Sequence, residues 1–365
     1  MPRVVISGYY GFHNNGDEAM LYAILSALGR RVPRLEAVVL SRDPAYTAEA
    51  FGVESIPRHD LNRIWRALQG ADLLISGGGG LLQDVTGPKS ILYYLGIVQM
   101  ARMLGKPVFF YGQGIGPVRT ALGKGLIRLV VNSVNMITVR DVESKRELER
   151  LGVTAPPVYV TADPALGLSE DMVRPERGGE ILRGLGLGAA PLAGISVRPW
   201  KNFEEYKRVL AVVADRLVDR GWQVLFVPMH YPADVEVCRQ VAGHMQNPAC
   251  VFADRVDFRE LLSVVANLDL AIGMRLHFLI FSAMAGVPLV GVSYDPKVDR
   301  FLKLVGMPPA HDVGGLRAEP LWRAVEASIN GREQIRPKIL ARVAGLRREA
   351  LVSAELAGAL LEKKP

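Results

Sequence analysis

The fold of this chain is decided by the stretch Ala271-Ile-Gly-Met-Arg-Leu-His-Phe-Leu-Ile-Phe-Ser-Ala-Met-Ala-Gly-Val-Pro-Leu-Val-Gly-Val292. An apolar strand, a predicted helix and a second apolar strand follow one another within it. Its ionisable residues are Arg275 and His277, and both stand at the switch from strand to helix, where open parallel sheets bind ligands. A guanidinium is a permanent cation and an imidazole titrates near neutral pH, so the pair predicts anion binding combined with proton transfer.

A purely structural role is the alternative for both residues. Arg275 could cap a carbonyl group, and His277 could be a core histidine whose hydrogen bonds are satisfied. The dipole of the predicted helix favours anions at its N-terminus, where both residues lie. This position favours the functional interpretation.

Length and composition predict two α/β domains with a basic surface. The chain has 365 residues, 49% of them apolar, and a net charge of +7 with a pI near 9.4. This charge favours acidic partners or an anionic surface, and we expect no nucleic-acid partner. Many basic residues gather late in the chain, where they form either a solvated helix face or a dock for an anionic membrane leaflet: Arg332, Arg336, Lys338, Arg342, Arg347, Arg348, Lys363 and Lys364.

The two cysteines, Cys238 and Cys250, match no zinc-binding spacing, and their number is too small for a secreted disulfide framework. No basic segment followed by an apolar run stands at the N-terminus, so we expect no signal peptide. The sequence contains no cluster of carboxylates that would indicate a metal site, and we expect neither a metal nor a cofactor. These features predict a cytoplasmic protein, at most peripheral at the inner face of the membrane.

Short apolar strands alternate with helical patterns, which is typical of parallel sheets covered on both faces. The alternation predicts an N-terminal α/β domain at residues 1–166 and a C-terminal one at 192–330. Residues 167–191 are rich in Gly, Pro, Arg and Glu and predict a linker. Residues 331–365 predict basic helices. We therefore expect two Rossmann-like domains that face a central cleft.

Three glycine-rich loops follow strands of the N-terminal domain: one begins at Gly8, one contains Gly77-Gly-Gly-Gly80 and one contains Gly112-Gln-Gly-Ile-Gly116. Their spacing matches neither a dinucleotide fingerprint nor a P-loop, but together they predict a ligand-binding rim. The candidate acceptor-binding residues on this rim are Asp17, Gly78, Gly79, Asp84 and Gly114. Two alternatives remain open: Asp17 could complement a helix dipole, and Asp84 could cap a helix.

Four strand ends of the C-terminal domain carry positive or titratable side chains: Arg198, His230, Arg275 with His277, and Lys297. Because the carboxyl ends of parallel strands meet at one edge of a sheet, this clustering predicts a site for a small, densely charged anion. Asp141 and Asp163 also follow strands, and we expect both to cap helices.

Several of these segments together resemble the polysaccharide pyruvyl transferase family, and within it the CsaB-type enzymes of bacterial cell-wall polymer modification. The matching segments cover residues 3 to about 330 in order: Ile6-Ser-Gly-Tyr-Tyr-Gly-Phe, Asn15-Gly-Asp-Glu-Ala, Ser76-Gly-Gly-Gly-Gly-Leu-Leu-Gln-Asp, Tyr111-Gly-Gln-Gly-Ile-Gly-Pro, Thr138-Val-Arg-Asp, Asp163-Pro-Ala, Ser196-Val-Arg and Gly273-Met-Arg-Leu-His. The resemblance implies a GT-B-like fold and the transfer of pyruvate from phosphoenolpyruvate to sugar hydroxyls as a ketal.

The resemblance also assigns roles to residues. It implies that Arg275 and His277 are the donor and catalytic motif, and Arg198 is placed by strand order and a short motif. His230 and Lys297 are assigned to phosphoenolpyruvate by topology alone. The implied acceptor is a lipid-linked precursor with N-acetylmannosamine, ketalised at its 4- and 6-hydroxyls. The alternatives are a GT-B glycosyltransferase that uses a nucleotide sugar and a non-catalytic sugar-binding protein of the cell envelope.

Overall fold

The structure, a computed structural model, describes residues 1–84, 89–201 and 203–362. The chain forms two compact units. The N-terminal unit comprises Met1–Leu168 together with Leu346–Pro365, and the C-terminal unit comprises Ser169–Gly345.

The N-terminal unit alternates strands and helices along the chain. Its elements are β1 (Arg3–Tyr10), α1 (Asn15–Arg31), β2 (Glu36–Ser41), α2 (Pro44–Phe51), β3 (Glu54–Pro57), α3 (Leu61–Gln69), β4 (Leu73–Ser76), β5 (Gly79–Leu82), α4 (Lys89–Met103), β6 (Val108–Ile115), α5 (Ala121–Val131), β7 (Met136–Val139), α6 (Val142–Arg150) and β8 (Val158–Val160).

Parallel pairing joins these strands in the order β3-β2-β1-β4-β6-β7-β8, and β5 pairs with β6 beside that path. The order reverses between β1 and β4, which is the switch point of a doubly wound sheet. The central strands are apolar on both faces because helices cover both faces. Side-chain oxygens of Asp43, Asp60 and Asp141 cap α2, α3 and α6, which explains why these short helices begin where they do.

The C-terminal unit repeats the alternation. Its elements are α7 (Pro175–Gly184), β9 (Leu192–Ser196), α8 (Glu205–Asp219), β10 (Gln223–Phe226), α9 (Ala233–Gly243), β11 (Cys250–Val251), α10 (Phe258–Val265), β12 (Leu270–Gly273), α11 (Leu276–Met284), β13 (Leu289–Ser293), α12 (Pro296–Leu304), β14 (His311–Asp312), α13 (Ala318–Asn330) and the first part of α14 (Arg332–Glu362).

The C-terminal sheet has the order β11-β10-β9-β12-β13-β14, in which every pair is parallel. Read in chain order, this is the 3-2-1-4-5-6 order of a Rossmann sheet, with its switch point between β9 and β12. The predicted fold class, two Rossmann-like α/β domains, is thus confirmed for each unit.

The unit boundaries differ from the predicted 1–166, 167–191, 192–330 and 331–365. The predicted linker contains α7, which packs on α10 of the C-terminal unit, and Asn267 donates to the carbonyl of Pro175 at 2.9 Å. The predicted C-terminal helices include a single long helix, α14, whose last residues belong to the N-terminal unit. There Ala354, Ala357 and Leu361 enter the same apolar cluster as β1 and α1.

Among the described residues, no helix combines the length and the apolar character that a membrane span requires. Lys363 and Lys364, two of the late basic residues, lie outside the described part of the chain.

Candidate functional site

The carboxyl edge of the C-terminal sheet collects the predicted cationic residues. His230, Arg198, Arg275 and Lys297 follow β10, β9, β12 and β13, which are four neighbouring strands. Arg198 and Arg275 follow the two strands that flank the switch point, the position at which doubly wound sheets open a ligand crevice. The strand order therefore brings these four residues to the same edge of the sheet, as the sequence pattern predicts.

The Arg275 side chain is held by a carboxylate that sequence reasoning missed. Asp234, in the first turn of α9, is fully buried and accepts from Arg275 Nε at 2.8 Å and also from its Nη2. The same carboxylate accepts from the backbone N–H groups of Met229 and His230 at 3.1 and 3.0 Å. A two-point bond to a guanidinium fixes its plane, so Asp234 orients Arg275 and ties it to the His230 turn.

The cationic groups of Arg198 and Lys297 both lie close to the ring of Tyr294. The Arg198 guanidinium lies 4.3 Å from the ring centroid and Lys297 Nζ lies 5.1 Å from it, while Trp200 packs on the ring at 5.0 Å. Burial raises the pKa of the Tyr294 phenol, but Lys297, Arg198 and Arg275 lower it, and the net result is a pKa below its usual value. A phenol with a lowered pKa is a local indicator of concentrated positive potential.

His277 lies in the first turn of α11, and Arg275 is the N-cap residue of that helix. The Arg275 side chain makes no capping bond, because it reaches Asp234 instead. Both side chains are partly exposed, with Arg275 at 13%. The helix N-terminus adds the partial positive charge of its dipole to the cations at this edge. The arrangement can hold an anion and present an imidazole beside it.

In the N-terminal unit, Asp17 and Gly79 lie side by side. A Cβ on Gly79 would stand 3.5 Å from Asp17 Oδ1 and 3.3 Å from Met20 Cε, and Gly79 has a φ of 98°, which only glycine adopts without strain. Asp17 is partly exposed. These two residues lie at the carboxyl edge of the sheet, beside the switch point between β1 and β4.

Gly78 and Gly114 are required by internal packing. A Cβ on Gly78 would stand 3.0 Å from both Met20 Sδ and Pro164 Cγ, and one on Gly114 would stand 2.7 Å from Arg140 Cζ. Arg140 is itself buried and donates to Asp163 at 2.9 Å. Close approach of side chains to the backbone explains these two glycines, and a ligand role for them stays a prediction.

The Asp84 carboxylate binds the turn that precedes α5. It accepts from the backbone N–H of Arg119 at 2.9 Å, from that of Thr120 at 2.7 Å and from the Thr120 hydroxyl at 2.8 Å. Burial raises the pKa of Asp84, but these donated bonds outweigh it and lower the pKa below its usual value. Asp84 thereby fixes the turn before α5, but the residue that caps this helix is Thr120 rather than Asp84. The expected caps at Asp141 and Asp163 are confirmed.

Glu18 is a second carboxylate in the first turn of α1, next to Asp17. It is buried, and its Oε1 accepts from the backbone N–H of Gly11 at 2.9 Å. Burial raises the pKa of Glu18 to about 8, the N–H groups of Gly11, His13 and Phe12 lower it, and Asp17 raises it. The side chain closes the first glycine-rich loop over its own helix.

Arg58 follows β3 and is buried among aromatic rings at the carboxyl edge of the N-terminal sheet. Its guanidinium lies 4.2 Å from the ring centroid of Tyr93, 5.1 Å from that of Phe12 and 5.5 Å from that of Tyr94. The Tyr10 ring lies against Gly77 and Gly8, where any Cβ would overlap it. These aromatic contacts join residues far apart in the chain, so no local sequence pattern could have revealed them.

No group of three or more His, Cys, Asp or Glu side chains that could hold a metal ion is present in residues 1–84, 89–201 and 203–362.

Two α/β units, each built on a parallel sheet with the strand order given above, define a fold of the GT-B type, and several solved structures share it. HepE of Anabaena in complex with UDP-glucose matches with a TM-score of 0.69 at 12% identity, over 98% of both chains. A co-structure of S. aureus MnaA with UDP matches with a TM-score of 0.67 at 10% identity, over 100% of this chain and 99% of that one. E. coli ADP-heptose LPS heptosyltransferase II matches with a TM-score of 0.52 at 15% identity, over 91% and 100%. These likenesses show the fold alone.

The sequence comparisons identify the family. The amylovoran biosynthesis protein AmsJ of Erwinia amylovora is 25% identical over 303 residues, which cover 78% of this chain and 72% of AmsJ. The family model of the polysaccharide pyruvyl transferases matches residues 14–296, which include every strand except β1 and β14, together with the Arg275–His277 pair. The chain therefore belongs to the polysaccharide pyruvyl transferase family, and it is a transferase of polysaccharide pyruvylation.

Proposed function

We propose that the chain transfers pyruvate from phosphoenolpyruvate to two hydroxyls of a polysaccharide precursor sugar as a ketal, with release of phosphate. The observation that carries this proposal is the convergence of Arg198, Arg275 and Lys297 on Tyr294 at the switch point of the C-terminal sheet. Phosphoenolpyruvate carries a phosphate and a carboxylate, and guanidinium groups bind both in two-point fashion.

The cation cluster suits this donor in charge as well as in place. Asp234 neutralises part of the Arg275 charge, so one arginine alone would leave a dianionic phosphate undercompensated. Arg198, Lys297 and the N-terminus of α11 supply the additional positive charge. In this arrangement Arg275 orients the donor, and the surrounding cations stabilise negative charge as phosphate leaves.

The chemistry requires one proton donor near the methylene carbon. His277 in its imidazolium form protonates C3 of phosphoenolpyruvate, and C2 becomes an oxocarbenium-like centre. One sugar hydroxyl attacks C2 and passes its proton to His277, which replaces the proton given to C3. The C2–O bond to phosphate then breaks, and a second hydroxyl attacks C2 to close the ketal ring and passes its proton to the departing phosphate. His230, whose backbone is tied to Asp234, is the second candidate for proton transfer.

We place the acceptor at the carboxyl edge of the N-terminal sheet. Asp17 beside Gly79 provides an acceptor oxygen for a sugar hydroxyl, and the buried Arg58 among its aromatic rings marks the same edge. By resemblance to CsaB-type enzymes we assign an N-acetylmannosamine of a lipid-linked precursor as the acceptor, with ketal formation at its 4- and 6-hydroxyls. Such an acceptor would place the reaction in the cytoplasm, at the inner face of the membrane.

The test is a direct comparison of donors. Purified protein is incubated with a soluble β-N-acetylmannosaminide and either phosphoenolpyruvate or UDP-sugars, and phosphate and UDP release are followed with mass analysis of the glycoside. We expect phosphate release and a pyruvyl ketal product from phosphoenolpyruvate only. UDP release with glycosyl transfer would favour the alternative glycosyltransferase function, which the UDP complexes of HepE and MnaA, proteins of the same fold, make the natural competitor.

A further inference from the structure

Helices α4 and α5 leave an apolar groove open on the surface of the N-terminal unit. The groove measures about 670 Å³ and lies between the two helices, which pack side by side. Its walls are mainly aliphatic and include Leu92 and Met103 from α4 and Leu126 and Leu129 from α5. Exposed apolar side chains that are grouped on one surface indicate a candidate interaction site.

The large apolar side chains at this surface point outward to an unusual degree. Leu129 is 74% exposed, Met103 68%, Leu122 59% and Leu92 47%. On α4, the residues Leu92, Gly96, Gln99 and Met103 recur at helical spacing and form one exposed stripe. On α5, Leu122, Leu126 and Leu129 also recur at helical spacing, with Leu122 and Leu129 exposed and Leu126 half-buried.

The charge of the surrounding chain is of one sign. Between Asp84 and Asp141 the sequence contains no Asp or Glu, but it contains the basic residues Lys89, Arg102, Lys106, Arg119, Lys124, Arg128 and the buried Arg140. Lys124 and Arg128 are exposed on α5 beside the leucine stripe, and Arg102 lines the groove itself. None of the described residues that line the groove is acidic.

We propose that this α4–α5 surface docks on an anionic phospholipid bilayer, with the leucine and methionine side chains inserted between the headgroups and the basic side chains on the lipid phosphates. A protruding apolar stripe flanked by Lys and Arg is the pattern of interfacial membrane helices. An anionic bilayer complements the uniform positive charge of this segment, because lipid phosphates attract clustered Lys and Arg side chains.

This surface fits a bilayer better than the late basic cluster does. Helix α14 interleaves its arginines with Glu333, Glu349, Glu355 and Glu362, and Glu355 and Glu362 pair with Arg31. The membrane-docking proposal does not depend on the reaction, because binding to vesicles can be measured without donor or acceptor. Its failure would leave the proposed transfer chemistry untouched.

The test uses the full chain and vesicles of two compositions: phosphatidylcholine alone, and equal parts phosphatidylcholine and phosphatidylglycerol. We expect the protein to co-sediment with the anionic vesicles, to bind the neutral ones at least tenfold more weakly, and to dissociate as salt is raised. The double variants Leu122→Glu/Leu129→Glu and Lys124→Glu/Arg128→Glu should each lower the affinity for anionic vesicles tenfold or more.

Two matched controls locate the effect. Val212→Glu changes an exposed apolar residue of α8 in the other unit, and Arg342→Glu/Arg348→Glu reverses two charges on α14. Both should bind vesicles as the wild type does, and circular dichroism should show all variants folded. The proposal is overturned if the wild type does not bind anionic vesicles, or if the Leu122/Leu129 variant binds as the wild type does. It is also overturned if the α14 variant alone loses binding, or if sedimentation velocity shows that the leucine surface joins two copies of the chain.

Discussion

At the residue scale, Arg275 depends on Asp234 for its orientation. A lysine at position 275 would keep the charge but could not bridge both carboxylate oxygens of Asp234 while presenting a planar fork to an anion. We therefore expect Arg275→Lys to weaken phosphoenolpyruvate binding by about 1–3 kcal/mol, the range for a charge-assisted bond. Isothermal titration with phosphoenolpyruvate measures this loss.

The matched control for Arg275→Lys is Arg208→Lys, which changes an arginine of the same unit that makes only an exposed pair with Glu205. It should bind phosphoenolpyruvate like the wild type. If Arg275→Lys or Arg275→Ala also bound the donor normally, Arg275 would not be the donor ligand.

His277 carries the second prediction at this scale. Glutamine preserves hydrogen bonding but cannot supply a proton, so His277→Gln should lower turnover by about 10²–10⁴-fold while donor binding stays nearly unchanged. Steady-state phosphate release and isothermal titration with phosphoenolpyruvate compare the variant with the wild type. Near-normal turnover in His277→Gln would move the proton-donor role to His230.

At the scale of elements, the loop between β1 and α1 is closed by a carboxyl group with a raised pKa. Glu18 has a pKa near 8 because it is buried, so the folded state holds a proton that the unfolded chain releases near its ordinary value of 4.5. The stability that comes from this group is complete below the unfolded pKa and is lost as pH rises towards 8. The loss amounts to a few kcal/mol, since each pKa unit corresponds to about 1.4 kcal/mol.

Glu18→Gln should remove most of this pH dependence while it keeps an acceptor for the Gly11 N–H. Urea unfolding of both proteins at several pH values between 5 and 9 measures the difference in the free energy of unfolding, which we expect to move in favour of the variant as pH rises. Parallel pH profiles for the wild type and Glu18→Gln would show that Glu18 does not titrate in this range.

The elements also show how far sequence patterns reach. Helix α3 and strand β4 carry clear local signals, because Asp60 caps the helix and a short apolar run forms the strand. Strand β5 was missed because it begins in the glycine run at Gly79, which pattern reasoning treats as loop. Helix α7 lies in a Gly- and Pro-rich stretch and owes its position to packing on α10. Tertiary contacts decided both elements.

The candidate site also contains residues whose place could be predicted from the sequence and residues whose place could not. Strand ends follow from hydrophobic periodicity, and so the neighbourhood of Arg198, Arg275 and Lys297 could be predicted. Asp234 could not, since it is 41 residues from Arg275 and sits in a helical turn that looks like any acidic helix start. Tyr294 likewise could not be selected from the sequence, because only the fold brings the cations to its ring.

At the scale of the whole molecule, the end of α14 is part of the N-terminal core. Ala357 is fully buried in the cluster with β1 and α1, and the Ser353 hydroxyl donates to that of Thr138 at 2.9 Å. A charge placed there has no partner among its apolar neighbours. We expect Ala357→Glu to lower the free energy of unfolding by about 3–5 kcal/mol.

Ala341→Glu, which places the same side chain at an exposed position of the same helix, should change stability by no more than about 0.5 kcal/mol. Chemical denaturation followed by circular dichroism compares the two. Equal stability of both variants would mean that residues 346–362 are not part of the core of the N-terminal unit.

The return of α14 to the N-terminal unit also has a consequence for synthesis on the ribosome. Residues 1–168 leave the ribosome first, but the helix that completes their core is translated after the whole of Ser169–Gly345. The C-terminal unit is one continuous segment and can fold as soon as it emerges. We therefore expect the usual order, in which the N-terminal domain matures first, to be reversed here, because the N-terminal unit is complete only after α14 has been translated.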